Sequence, residues 1–267
     1  MSDLLLRAGA WEQVSPESAG WRFLHFGVRG GAFSSETGDA EIALVPLAGG
    51  CQVEAEGETW ELGGREHVFA GMPWALYLPR DTPYRVEAEG EVAICGARCE
   101  TRREPVLVRP DDVEVEVRGS GNATRQINHI VKPEFPAERL LVVEVFTPAG
   151  NWSSYPPHKH DEDNAPGEVV LEETYYFRTR APEAFAVQRL YSPRHGLDVT
   201  ETVRDGDLML VPYGYHTTAA AHGYDLYYLN ALAGDTRSMA SADDPALHWI
   251  RDAWADLEPD PRVPLVR

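Results

Sequence analysis

From Trp21 to Gly234 the chain is a succession of short apolar, β-prone runs broken by Gly, Pro and Asp, and no long segment keeps a helical period. It therefore reads as all-β. Strands are expected over residues 22–29, 40–47, 52–55, 59–62, 74–78, 84–86 and 91–97 in the first half. In the second half they are expected over 139–147, 172–178, 184–191, 198–203, 208–211 and 226–231. This spacing suits sandwiches or barrels, and 267 residues suffice for two domains of ordinary size. An Arg/Glu/Asp-rich passage over 100–121, with Val113, Val115 and Val117 alternating inside it, places the junction there. The expected domains are 1–118 and 119–267. In the tail, Leu247, Ile250, Trp254 and Leu257 share one face at helical spacing, which predicts a short C-terminal helix packed on the second domain.

The halves read as diverged copies of one design. Each holds a Gly, an apolar run, a Pro and a turn before the next strand, from Gly71 to Pro83 and from Gly206 to His216; the second copy alone ends in histidine.

The formal charge of −19 opposes attraction to phosphate backbones and anionic lipid, so neither nucleic acid nor a membrane is an expected partner. Lysine occurs only at 132 and 159. Cys51, Cys95 and Cys99 form no closed disulfide framework and read as reduced, buried thiols. The N-terminal apolar stretch is too short for a signal peptide and no run approaches membrane-spanning length, so a cytoplasmic location is expected.

Chemistry concentrates in the stretch from Gly150 to His160, which ends Pro-Pro-His158-Lys-His160. Side chains alternate along an extended strand, so His158 and His160 share a face and can share one ion, while Lys159 points away. A hydrophilic loop leads to Leu-Glu-Glu-Thr-Tyr-Tyr over 171–176, a strand that opens on carboxylates. His216 closes the run Gly206 to His216 just after a Pro-Tyr-Gly turn. Three imidazoles and one carboxylate suit a divalent first-row metal and leave positions open for water or substrate.

These HxH…E and GxxxxxPxGxH elements are similar to the two cupin motifs. The longer passages GNWSSYPPHKHD (150–161), LEETYYFR (171–178), FAVQRLY (185–191), DGDLMLVPYGYH (205–216) and GYDLYYLNALAG (223–234) resemble the bicupin uronate isomerase family, which includes the 5-deoxy-glucuronate isomerases of myo-inositol catabolism. The run 121–129, which includes Arg125, resembles a segment of the same family, with cover over the pocket or an interface as its expected roles. The resemblance implies two tandem cupin barrels and an aldose–ketose isomerase acting on a small sugar acid. It also implies one divalent ion, zinc before manganese, iron or nickel, held by residues that match His158, His160, Glu173 and His216. Glu172 adjoins Glu173, and the choice of Glu173 rests on the E-x-Y pattern it shares with the family's ligand strand.

An isomerase of this kind needs a metal to polarise the carbonyl and to stabilise an enediolate or a hydride-shift transition state; an enediol route also needs a base near C2, for which a metal-bound hydroxide, Glu172, Tyr175 and Tyr215 are candidates. The substrate carboxylate suits an arginine fork, from Arg178 or Arg189. Tyr213 and Tyr227 are expected at the mouth. The N-terminal barrel has no His-x-His pair, and His25 and His67 have no partners at ligand spacing; it is expected to support the catalytic barrel and to contribute to any homo-oligomer. A cupin dioxygenase and a non-catalytic sugar-acid-binding cupin share the ligand pattern and are the competing expectations.

Overall fold

The computed structural model describes residues 4–267; residues 1–3 of the expected N-terminal barrel lie outside the described residues. The N-terminal barrel is built on one antiparallel sheet in the order Gln13–Val14, Leu24–Glu36, Pro83–Arg98, Ala40–Pro46, Ala75–Leu78, Val106–Val108. Residues 84–86 and 91–97, expected as two strands, belong to the single strand Pro83–Arg98. Its C-terminal half pairs with Ala40–Pro46 and its N-terminal half with Gly49–Ala55, which forms a hairpin with Glu58–Arg65. One long strand thus serves two partners and curls the sheet around a core of Ile42, Leu44, Val53, Leu62, Leu76 and Val86.

The C-terminal barrel is a sandwich of two antiparallel sheets. The larger runs Leu5–Leu6, Leu208–Val211, Glu172–Thr179, Leu226–Ala233, Leu140–Thr147, Arg125–Val131, Glu114–Arg118. The smaller runs Leu197–Val203, Ala186–Ser192, Tyr215–Ala220, Trp152–Lys159, Ala242–Asp243. Between them lie Val143, Val145, Tyr175, Phe177, Leu190, Val211 and Tyr228.

Two departures from the sequence expectation concern the junction at 118. The strand Glu114–Arg118, placed by sequence in the first domain, pairs with Arg125–Val131 of the second. The N-terminal strand Leu5–Leu6 leaves the first barrel altogether and pairs with Leu208 and Met209. Both follow from edge chemistry: each short strand covers a row of N–H and C=O groups that the larger sheet would otherwise leave exposed.

The larger sheet is apolar on both faces. All eight residues of Leu140–Thr147 are buried; Val143 and Val145 point into the barrel, whereas Leu140, Val142 and Phe146 point at the N-terminal sheet and meet Leu24, Phe26, Val45 and Tyr77. The helical tail is shorter than its apolar spacing suggests, an α-turn over Ile250–Ala253 followed by a 3-10 turn over Trp254–Asp256. Leu257 stays 51% exposed, so the expected apolar face is only partly covered.

Candidate metal centre

Three strands and one turn bring the four residues expected as ligands to one end of the C-terminal barrel. His158 and His160 come from the end of Trp152–Lys159, Glu173 from Glu172–Thr179 and His216 from Tyr215–Ala220. His158 lies directly across the sheet from His216, with ring centroids 4.5 Å apart. The His160 and His216 rings are 5.1 Å apart, and one ligand atom from each of His160, Glu173 and His216 lies within 4.8 Å of the others. These three residues are buried; His158 is half-buried and stands outside this three-residue group.

The hydrogen bonds fix what each ring presents. His160 Nδ1 lies 3.0 Å from the Leu171 carbonyl and His216 Nδ1 lies 3.1 Å from the Gly214 carbonyl. A carbonyl oxygen can only accept, so both Nδ1 atoms are the N–H donors and both Nε2 atoms of the neutral rings carry lone pairs. Those lone pairs face Glu173 Oε2, at 2.9 Å from His160 and 3.2 Å from His216. The buried His216 Nε2 has no hydrogen-bond partner. Converging lone pairs repel unless a proton or a cation lies among them, and carbonyl-anchored imidazoles are how metal-ligating histidines are usually oriented. The residues therefore fit a divalent ion.

Electrostatics agree. Despite burial, which opposes ionisation, the facing His160 and His216 rings lower the Glu173 carboxyl to about 2. His158 is held well below its ordinary value, first by burial and then by His216 and His160. Burial pushes His160 down too, but the Glu173 carboxylate outweighs it and raises that ring.

Gly214 explains the Pro-x-Gly-x-His spacing. Its φ is +93°, and a Cβ there would sit 2.7 Å from the Tyr191 carbonyl oxygen. Only glycine lets the turn aim its carbonyl at His216 while its N–H donates to Asp161 Oδ2 at 2.9 Å.

The other sequence candidates divide by strand alternation. Tyr175 shares the inward face with Glu173; its ring stands 5.7 Å from His216 and its hydroxyl meets Ser154 Oγ at 3.0 Å. Burial, then the neighbouring Glu173 and Tyr228, raise its phenol well above the usual value. Glu172 faces the other way. Its carboxylate accepts the backbone N–H groups of Arg22, Phe23 and Leu24 at 2.5, 3.0 and 2.9 Å, which corrects its assignment as a base. Arg178 is spent on Asp205 and Glu91, and Arg189 on Asp198, both on outward faces, so neither reaches the barrel interior. Tyr227 packs on Phe146 at 5.2 Å between the barrels. Tyr213 stacks on His195 and Tyr215 on Tyr191, outside the ligand cluster. Lys159 points outward to Asp161 and Glu168.

Sequence reasoning assigned no interior role to two residues beside the cluster, Tyr228 and Arg125, the latter noted only within a run expected to cover the pocket or form an interface. Tyr228 hydrogen-bonds Ser153 Oγ at 2.6 Å, and its ring lies 4.8 Å from Tyr175. Arg125, in the 121–129 run, is buried on the same face as Ile127. The signal available was parity: each residue is two steps from an apolar inward neighbour, Tyr228 from Leu226 and Arg125 from Ile127.

Residues 6–250 match the KduI/IolB family. The chain is similar to the 5-deoxy-glucuronate isomerase of Geobacillus kaustophilus, 44% identical over 249 residues, 90% of each chain. The 5-deoxy-glucuronate isomerase of Bacillus subtilis strain 168 is 39% identical over 83% of each chain. Among solved structures, an IolB-like protein from Salmonella typhimurium LT2 superposes with a TM-score of 0.89 at 35% identity, covering 94% of this chain and all of that one. Oxalate decarboxylase from Bacillus subtilis gives 0.62 at 12% identity over 97% of this chain and 86% of its own, a likeness of the tandem-cupin fold alone.

Proposed function

The chain belongs to the KduI/IolB family and is an isomerase, and from that premise we propose that it converts 5-deoxy-D-glucuronate to 5-dehydro-2-deoxy-D-gluconate in myo-inositol catabolism, using a divalent ion held by His158, His160, Glu173 and His216. What supports the metal is the meeting of two carbonyl-anchored imidazoles and a carboxylate, lone pair to lone pair, in a buried site. Zinc suits this mixed nitrogen and oxygen set, as do manganese, iron and nickel. When bound, the ion supplies Lewis acidity to a carbonyl and its neighbouring hydroxyl.

The rest is done by the chain. Tyr175, Tyr228, Ser153 and Ser154 form one buried hydroxyl network beside the ligands. Moving hydrogen between adjacent carbons also moves a proton between their oxygens, and hydroxyls that stay protonated can donate to and relay between them. Phe177, Val143 and Leu190 wall the interior and exclude water that would compete for those donors. Buried, unpaired Cys51, Cys95 and Cys99 suit a reducing, cytoplasmic compartment. The N-terminal barrel acts as a support.

The test is incubation of zinc-, manganese-, iron- or nickel-loaded protein with 5-deoxy-D-glucuronate, following ketose formation. Wild type should form ketose, and His158→Ala and His216→Ala should each lose nearly all of it. Oxygen consumption without ketose, or uronate binding without turnover under every metal, would overturn the assignment.

A further inference from the structure

We propose that Arg125 fixes the sugar acid's carboxylate inside the C-terminal barrel, at the opposite end of the substrate from the ligand cluster. This deepens the isomerase proposal and rests on it for the identity of the substrate.

Arg125 is 4% exposed, yet among the described residues it has no carboxylate partner. Its Nη1 donates to the carbonyls of Ala123 and Tyr155 at 3.2 and 3.3 Å. A buried guanidinium without a counter-ion is costly, and such charges are normally paired. The other arginines considered for this role, Arg178 and Arg189, are paired already.

Direction follows from the strand. Arg125 and Ile127 share one face of Arg125–Val131, and Ile127 packs with Tyr175, Phe177 and Tyr228 in the barrel interior. The acceptor Tyr155 belongs to the strand that carries His158.

A second buried donor on the opposing sheet lacks a partner. Gln188, fully buried, accepts from Thr218 through Oε1, but its Nε2 has no acceptor. It lies across from Thr218, two residues along the strand from His216. A buried guanidinium without a counter-ion on one sheet and an unfilled amide donor on the other call for an acceptor-rich guest. A carboxylate matches the planar fork of Arg125 as no sugar hydroxyl can.

The test uses D-glucuronate as the acidic probe and D-glucose as its neutral counterpart, measured by calorimetry on protein with and without zinc. Wild type should prefer D-glucuronate. Arg125→Met should weaken D-glucuronate about 100-fold and leave D-glucose unchanged, while Arg125→Lys, which keeps charge without the fork, should lose about tenfold. In wild type labelled with ¹⁵N-arginine, D-glucuronate and not D-glucose should shift a side-chain guanidinium resonance, which requires no substitution to fold. Absence of a preference in wild type, its persistence in Arg125→Met, or a guanidinium spectrum unmoved by D-glucuronate would each overturn the proposal. Ketose formation is read separately: carboxylate preference through Arg125 without ketose sinks the isomerase assignment, whereas ketose with Arg125→Met unimpaired sinks the anchor.

Discussion

Neighbouring residues on a strand of this protein lead opposite lives. Glu173 faces two imidazoles and Glu172, one step away, holds three backbone N–H groups of the other barrel. Glu173→Gln should therefore abolish zinc retention, measured by metal analysis after dialysis. Glu172→Gln should keep zinc and turnover but lower stability by about 2–4 kcal/mol in denaturant unfolding, since an acceptor of charged type is lost from several hydrogen bonds. Protons compete with the metal for His160. Its ring is raised above 6.5 in the metal-free protein because the Glu173 carboxylate outweighs burial. That protonated pair stabilises the metal-free fold fully below 6.5, and the contribution is lost as pH rises through the raised value. Metal needs the deprotonated ring, so the gain in Tm on adding zinc should be larger at pH 8 than at pH 6, as scanning calorimetry would read; an equal gain would contradict the ligand assignment.

Strands and turns set the ligand geometry. The strand Trp152–Lys159 breaks register between Ser153 and His158, with Ser154 at a φ of 51°, so its hydroxyls and its histidines both reach the interior. The turn at Gly214 aims the carbonyl that orients His216. Gly214→Ala would place a methyl against the Tyr191 carbonyl at positive φ. It should cost about 1–3 kcal/mol of stability and weaken zinc affinity at least about tenfold, read by unfolding and by chelator competition.

At the scale of the molecule, buried charges tie the barrels together. Arg65 of the first meets Glu144 of the second at 2.8 Å with side-chain exposures of 3% and 0%, and Glu144 also accepts from Asn128 at 2.9 Å. Glu41 of the first barrel receives the backbone N–H groups of Glu138, Arg139 and Leu140 and the Tyr77 hydroxyl. Arg65→Met strands Glu144 uncompensated and should cost about 3–5 kcal/mol by chemical denaturation, much of it regained in Arg65→Met/Glu144→Met. A double variant no more stable than the single one would show that the pair is not coupled as described.

The sequence alone determined the strand-rich fold, the His-x-His pair and the Pro-x-Gly-x-His turn, because period-two alternation and glycine's access to positive φ act over a few residues. It also put Lys159 outside by the same parity. Tertiary structure decided what depends on residues far apart in the chain: which glutamate turns inward, that Arg178 and Arg189 already have carboxylates, that Tyr228 and not Tyr227 faces the barrel, and that residues 5–6 and 114–118 close the second sheet. Parity says two neighbours point opposite ways, but only the partner sheet says which way is in.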